Sequence, residues 1–342
     1  MDPAIRQADR RLYRREIAPW LPPRIIDCHV HVGLPEHVGP ISPERLKSNW
    51  AYEVGVSQSW EDLRGSLDML FPDREVSVLA FGTPLRETDL EANNAYALQG
   101  SKQPANNACA LMVTRPEWDA DVIAAGLDRG FAGIKPYPDL APETENEPTI
   151  FDFLPHSHMR VLNERSAMVT LHLPRAGRLS DERNIADLLE ISERYASVRV
   201  VLAHIGRAFC LPFAEKGLPH FADRPAICFD ISANLNPDVI RLALEIVGPD
   251  RLLYGSDLPI TLIRGVREHV GENYVNYTDG DFSWNTNRKS PEEESRYTFY
   301  LYEELKALIS AVRSTGMGAE AMEKILYSNA SRMLACHRGP SP

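Results

Sequence analysis

Long apolar runs are missing from this chain. No window reaches the ~18 consecutive apolar residues that a membrane-spanning helix needs. The first dozen residues carry charges throughout and hold no apolar core segment, so no secretory signal is expected there. Cysteine is sparse and unpaired in pattern. Cys28, Cys109, Cys210, Cys228 and Cys336 are scattered, odd in number and free of any Cys-x-x-Cys spacing. That excludes a disulfide framework and leads us to expect reduced, packed thiols in a cytoplasmic protein.

Positive charge is also short. Lys and Arg number 37 against 48 Asp and Glu, a formal net charge of −11 with no basic stretch to reverse it locally. Phosphate backbones and anionic membranes are therefore poor partners, and a small-molecule substrate is expected. No Gly-x-Gly-x-x-Gly loop follows the first apolar run, and no Gly-x-Ser-x-Gly elbow makes Ser256 a nucleophile. There is no linker, internal repeat or low-complexity tract. Nothing in the residues sets the oligomeric state, and a homo-oligomer stays open.

What the chain does contain is a rhythm. Short runs rich in Val, Ile, Leu and Ala recur at 24–32, 76–81, 108–114, 131–135, 167–173, 199–205, 226–232 and 252–258. Their near-continuous apolar character marks strands buried on both faces. Segments with helical spacing lie between them, among them 119–129, 180–196 and 238–247, the last opened by Pro237. Eight such alternations predict an α/β protein, a single (β/α)₈ barrel spanning about 24–335, with 1–23 as an N-terminal extension. Two connections are longer than the rest, 33–73 after strand 1 and 259–296 after strand 8. Both follow strand C-terminal ends, where barrel active sites lie, and can form a lid or be plain surface loops. The tail from Tyr297 reads as helical.

Polar residues punctuate the strand ends. In an extended strand, alternate side chains share a face. Asp27, His29 and His31 are thus expected to point one way, and Cys28 the other, into the strand–helix layer. Two imidazoles at a barrel mouth can share one divalent cation at ~2.0–2.1 Å each. Lys135, His172, His204 and Asp257 occupy the corresponding places on strands 4, 5, 6 and 8, each after an apolar run and before a loop. Buried groups of this kind need partners, and a shared metal supplies one. By contrast, His156 and His158 fall in a segment read as helix over 153–165, where residues two apart diverge by about 200°. His37, His220, His269 and His337 read as loop or terminal residues.

These residues resemble the amidohydrolase superfamily, in particular its amidohydrolase-related branch, which includes aminocarboxymuconate-semialdehyde decarboxylase. The likeness lies in Ile26-Asp-Cys-His29-Val-His31, Gly133-Ile-Lys135-Pro-Tyr-Pro, His172, Ala203-His204-Ile-Gly206, Leu252-Leu-Tyr-Gly-Ser-Asp257-Leu-Pro, and the closing Ile325-Leu-Tyr-Ser-Asn329-Ala-Ser-Arg332-Met-Leu. It runs from about Arg24 to Leu334. The two long connections match nothing in it. It implies metal binding by His29, His31, His172 and Asp257, with Asp257 also handling a proton. His204 would be a ligand of a second metal or a general acid/base beside a single one. Zinc is the default ion for such a site and manganese suits the same ligands, as one ion or two. A divalent ion polarises a carbonyl and can lower the pKa of bound water to ~7.

Lys135 keeps three readings: a carboxylated bridge between two ions, a cationic anchor for a substrate carboxylate, or a structural lysine. Arg175, Arg178, Arg207 and Arg264 follow strand ends, and Arg suits bidentate capture of carboxylates. Arg175, Arg207 and Tyr137 are the expected substrate contacts. The expected activity is a metal-dependent hydrolase acting on an amide, lactone or ester of a carboxylated substrate. The alternatives are a non-oxidative decarboxylase of an aromatic or unsaturated acid and a catalytically silent ligand-binding barrel.

Overall fold

In the computed structural model, which describes residues 3–335 apart from 56 and 144, eight parallel strands follow one another around a barrel in chain order. They are β1 (Arg24–His31), β2 (Glu75–Phe81), β3 (Ala108–Thr114), β4 (Gly133–Pro136), β5 (Met168–Leu171), β6 (Arg199–Leu202), β7 (Ile227–Asp230) and β8 (Leu252–Leu253). The ladder of β8 is short, but the chain runs on beside β1 and closes the circle. Cys28 N–H donates to Tyr254 O, Asp257 N–H to His29 O and His31 N–H to Leu258 O, at 2.9, 2.8 and 2.9 Å. The barrel expected from the sequence is the fold observed.

Burial on both faces explains the continuous apolar runs. Inside the barrel, Ile26, Leu79, Phe81, Leu111, Val113, Met168, Val201 and Leu253 form one cluster. Alternate residues such as Val78, Ala80, Ile134, Val169 and Val200 pack outward in a second cluster with Leu63, Leu188, Ile240 and Leu308 of the surrounding helices. Ala330 and Leu334 of the final helix join the inner cluster. Asn329 Nδ2 donates to Pro249 O and Leu252 O at the start of β8, which fixes that helix under the barrel floor.

One local feature departs from strict alternation. The β1–β2 register shifts between Asp27 and Val30, where Asp27 pairs with Val78 and Val30 with Ala80. Cys28 and His29 therefore stand together opposite Leu79, the arrangement of a β-bulge. The expectation that Asp27 shares the face of His29 and Cys28 lies in the strand–helix layer is corrected. Cys28 belongs to the inner cluster, and Asp27 is paired with an outward residue. The extra residue puts the histidines into the mouth and the cysteine beneath them.

The helical readings hold with trimmed ends, as Ala120–Asp128, Glu182–Arg194 and Pro237–Ile246. The segment expected as one helix over 153–165 is broken. A turn at Ile150–Phe153 precedes a helix that starts at His156 after Pro155, because a residue preceding proline leaves helical geometry. His156 and His158 do diverge, toward Tyr195 OH and Trp118 O.

Both long connections are structured. The first holds helices at Pro43–Ser48, Trp50–Val54 and Trp60–Leu70. The second is a hairpin of β9 (Arg264–Val270) and β10 (Asn273–Thr278), joined on the other edge of β9 by β11 (Thr298–Phe299). His269, expected in a loop, is a half-buried residue of β9, whereas His220 is exposed and His37 half-buried. Cys336 and His337 lie outside the described residues.

Close approach of β4 to β5 needs a glycine. A Cβ on Gly133 would lie 2.0 Å from Met168 O, a backbone atom that cannot step aside. Gly133→Ala should destabilise the fold by about 1–3 kcal/mol, the usual effect of overpacking, and a urea melt measures it; an unchanged midpoint would show that β4 and β5 can separate freely.

Candidate active site

The mouth of the barrel is built from strand ends. His29 Nδ1 lies 2.9 Å from Asp230 Oδ2 at the end of β7. A carboxylate only accepts, so Nδ1 carries the proton and the lone pair of His29 sits on Nε2. That nitrogen is 3.5 Å from Asp257 Oδ1, which also stands 3.2 Å from His31 Nε2. His29, His31 and Asp257 thus present donor atoms all within 4.8 Å of one another, as do His29, His204 and Asp230. Two donors at ~2.1 Å from a tetrahedral ion stand about 3.4 Å apart, close to the spacings of the first set. In the second set, Asp230 is already spent on hydrogen bonds.

Asp230 is the residue that the sequence reading missed. It is fully buried, and besides His29 it accepts from His204 N–H at 2.8 Å, Ser232 N–H at 3.1 Å and the Ser232 hydroxyl. Its signal was present: a polar residue closing the apolar run of strand 7, as His204 and Asp257 close theirs. Burial alone would raise its pKa, but His29 and its other donors overcome that and hold Asp230 well below the usual carboxylate range.

Electrostatics sort the remaining groups by protonation. For Asp257, burial works upward, but the His31 hydrogen bond and the neighbouring imidazoles bring it down to about 2, so it is an anion. Burial pushes His204 down to about 4 and lowers His29 and His172 as well. His29, His172 and His204 are therefore neutral donors of lone pairs beside an anionic carboxylate, which is what a divalent cation binds. His31 Nδ1 and His172 Nδ1 are buried without a hydrogen-bond partner.

The His204 backbone is strained. His204, Ile205, Gly206 and Arg207 all have φ between 50° and 62°, one turn of left-handed helix. Such a turn costs roughly 1–2 kcal/mol per non-glycine residue, and strain of this kind collects at functional sites. Arg207 holds the turn against the end of β5, its Nη1 donating to Leu173 O and Pro174 O at 2.9 and 3.1 Å. Asp257 is left-handed too, at φ 61°, a conformation that Asp tolerates better than most residues.

The other sequence-derived candidates are placed as follows. His172 packs at a tilt against Tyr137, ring centroids 4.7 Å apart, and meets His204 edge-on at 5.5 Å, outside both donor sets. Lys135 is fully buried, with Nζ unpartnered and 4.7 Å from the centre of the Phe81 ring, which in turn packs edge-on against His29 and His31. Burial lowers Lys135 to about 8 despite the attraction of Asp230 and Asp257. Arg175 is engaged by Asp181 and by Glu147 O. Arg264 pairs with Asp9.

Above the mouth lies a cavity of about 710 Å³ lined by His29, His31, His172, His204 and Asp257. Tyr137 and Arg207 also line it, whereas Arg175 does not. Its roof comes from the two insertions, which contribute Trp50 and Tyr52 from one and Arg267, Tyr274 and Trp284 from the other. They clasp each other: Trp50 packs on Trp284 at 5.6 Å, and Ser283 donates to Glu53 from both N–H and hydroxyl at 2.7 Å. Arg45 ties the first insertion to the barrel loops through Glu87 and Asp139. The long connections are a roof over the site. Among the described residues no helix is long and apolar enough to cross a membrane.

A (β/α)₈ barrel with histidines and an aspartate gathered at its covered mouth defines an enzyme of the amidohydrolase type. The amidohydrolase family model matches residues 26–335, and the chain belongs to that family. No curated protein sequence matches it. Among solved structures it is similar to 2,6-dihydroxybenzoate decarboxylase complexed with 2,6-dihydroxybenzoate, at 13% identity and a TM-score of 0.57, covering 91% of this chain and 99% of that one. It is similar to a probable 2-pyrone-4,6-dicarboxylic acid hydrolase from Acinetobacter baumannii, at 16% identity and 0.55, covering 91% and 99%. It also resembles 5-carboxyvanillate decarboxylase from Novosphingobium aromaticivorans, complexed with manganese and a nitrobenzoic acid, at 14% identity and 0.56, covering 91% and 96%. Hydrolase and carboxy-lyase both fit this family.

If Asp230 orients His29, replacing its accepting oxygen with an amide should matter. Asp230→Asn should weaken divalent-metal binding by roughly 10- to 100-fold, the usual effect of losing a histidine's outer partner; Mn²⁺ titration calorimetry reads it, and unchanged affinity would show that His29 is held by other means.

Proposed function

We propose that this enzyme is a metal-dependent hydrolase that attacks an amide, lactone or ester of a small carboxylated substrate, using one divalent ion. The observation that carries the reading is the His29, His31 and Asp257 donor set, 3.2–3.5 Å about Asp257 Oδ1, opening into a roofed cavity. The donors fit the group: two imidazoles and an anionic carboxylate, with His29 oriented by Asp230. Zinc or manganese suits them. His172, whose ring meets His204 edge-on at 5.5 Å, is the further ligand that the family resemblance implies. When bound, the ion supplies Lewis-acid polarisation of the scissile carbonyl and acidifies water.

The chain's own residues supply the rest. Asp257, anionic and at the cavity floor, accepts a proton from the attacking water. His204, neutral with a lone pair on Nε2, takes up the proton that the water gives to Asp257 and then hands it to the leaving group. Arg267 and Arg207 line the cavity and give the substrate carboxylate its counter-charge, with Tyr137 beside them. The aromatic roof of Trp50 and Trp284 favours a flat substrate and excludes bulk water.

Decarboxylation is the second reading, and it would use the same one-ion site. Lys135 Nζ is packed on Phe81 rather than exposed to the cavity. That supports a one-ion site, in which a carboxylate held near His204 and Asp257 can be exchanged for a proton. Structural burial of Lys135 beneath the site is the reading of this residue that we adopt.

Two probes separate the chemistries: hydrolysis of 2-pyrone-4,6-dicarboxylate and decarboxylation of 2,6-dihydroxybenzoate. We expect turnover of the first, lost on chelation and restored by Zn²⁺ or Mn²⁺. His204→Gln should lower kcat by about 10²–10⁴-fold. Arg267→Met should raise KM roughly tenfold or more, as expected for a lost charged hydrogen bond. Turnover of only the second probe would establish the decarboxylase, and full activity after exhaustive chelation would overturn both.

A further inference from the structure

A buried acid stands behind the site without a role in the chemistry so far. Glu304, on the helix Tyr300–Ser314, is completely buried, and its Oε2 accepts from Ala233 N–H at 2.7 Å. That N–H belongs to the peptide group whose carbonyl is Ser232 O. The same carbonyl lies 2.9 Å from His204 Nδ1. One rigid peptide unit is therefore gripped at its N–H end by Glu304 and at its C=O end by the imidazole.

The contacts at His204 have a single consistent proton arrangement. A carbonyl oxygen only accepts, so the contact with Ser232 O requires a proton on Nδ1. Ser232 Oγ is also 2.9 Å from Nδ1. Its hydroxyl proton is committed to Asp230 Oδ1, so it too meets Nδ1 as an acceptor. Nε2 is left as the lone-pair nitrogen of a ring that lines the cavity. The peptide that enforces this is itself in an unfavourable place. Ala233 has φ 52°, a left-handed conformation that a Cβ-bearing residue avoids unless surroundings impose it. Two side chains impose it: Glu304 at the N–H, and Arg267 Nη1, which donates to Ala233 O at 2.7 Å.

We propose that Glu304 is a positioning residue which, through the Ser232–Ala233 peptide, fixes the tautomer and orientation of His204. The inference rests on His204 being the proton-handling group of the site. Hydrogen bonds in series polarise one another, so a carboxyl at one end of the peptide strengthens the carbonyl as an acceptor at the other. Arg267, from the roof, bonds the next peptide along, at Ala233 O, so the roof and the peptide that holds His204 meet at one residue, Ala233.

The test reads His204 without a substrate. Protein with ¹⁵N in the histidine rings is examined by long-range ¹H–¹⁵N correlation, with His204→Gln identifying the signal. The wild type should show one tautomer protonated at Nδ1. Glu304→Gln keeps an accepting oxygen and should preserve it. Glu304→Met fills similar volume without an acceptor and should give ring signals averaged between tautomers, while Mn²⁺ affinity stays at the wild-type value. If the methionine variant does not fold, Glu304→Asp, which withdraws the carboxyl by one methylene, carries the same expectation. A ring still pinned at Nδ1–H in whichever of these variants folds, averaging in Glu304→Gln, or a wild type protonated at Nε2 would overturn the proposal. Failure of Mn²⁺ to bind the wild type would instead strike the functional reading, because the tautomer signal does not depend on metal.

Discussion

A single buried carboxylate organises this site. Asp230 has no exposure to solvent, and a bare carboxylate in that position would be very costly. It persists because four donors converge on it: the His29 imidazole, the backbone of His204, and the backbone and hydroxyl of Ser232. Charge-assisted bonds of this number offset the lost hydration. In return, Asp230 fixes which nitrogen of His29 faces Asp257 and anchors the start of the strained turn at His204. Strand 7 thereby sets the geometry of residues on strands 1 and 6, and removing the one carboxylate would release both histidines.

Around that anchor the fold divides labour between a rigid floor and an added roof. The floor is ordinary barrel packing, with the inner cluster beneath the histidines and the last helix sealing the far end. The roof comes from two insertions that touch through Trp50, Trp284, Glu53 and Ser283. Arg267 belongs to the roof yet bonds to Ala233 beside the catalytic floor. The fold alone does not fix the reaction: barrels similar to this one at 13–16% identity include decarboxylases and a probable hydrolase.

Much of this was legible in the residues. Eight doubly buried strands declare themselves by continuous apolar runs, and polar residues ending those runs at His172, His204 and Asp257 mark the mouth. What was not legible has physical reasons. The bulge at Cys28 and His29 inserts one residue into a period-two pattern, and no local sequence signal announces it; it reverses the assignment of Asp27 and Cys28. The hairpin of β9 and β10 is hidden because its inward residues include Arg264 and Arg267, whose burial depends on partners far away in sequence, Asp9 and Ala233. Asp230 bore the mark of the polar residue that closes the strand 7 run, but its role was hidden because its partner His29 lies 201 residues away. Arg175 looked like a substrate contact from its place after strand 5, but Asp181 six residues on claims its guanidinium.

The central claim is that His29, His31 and Asp257 together hold one divalent ion. Anomalous scattering from a crystal grown with Mn²⁺ tests it most directly. The account predicts one strong peak within ~2.2 Å of His29 Nε2, His31 Nε2 and Asp257 Oδ1, the ordinary reach of such ligands. Two peaks bridged by a carboxylated Lys135, or no peak at these three atoms, would contradict it.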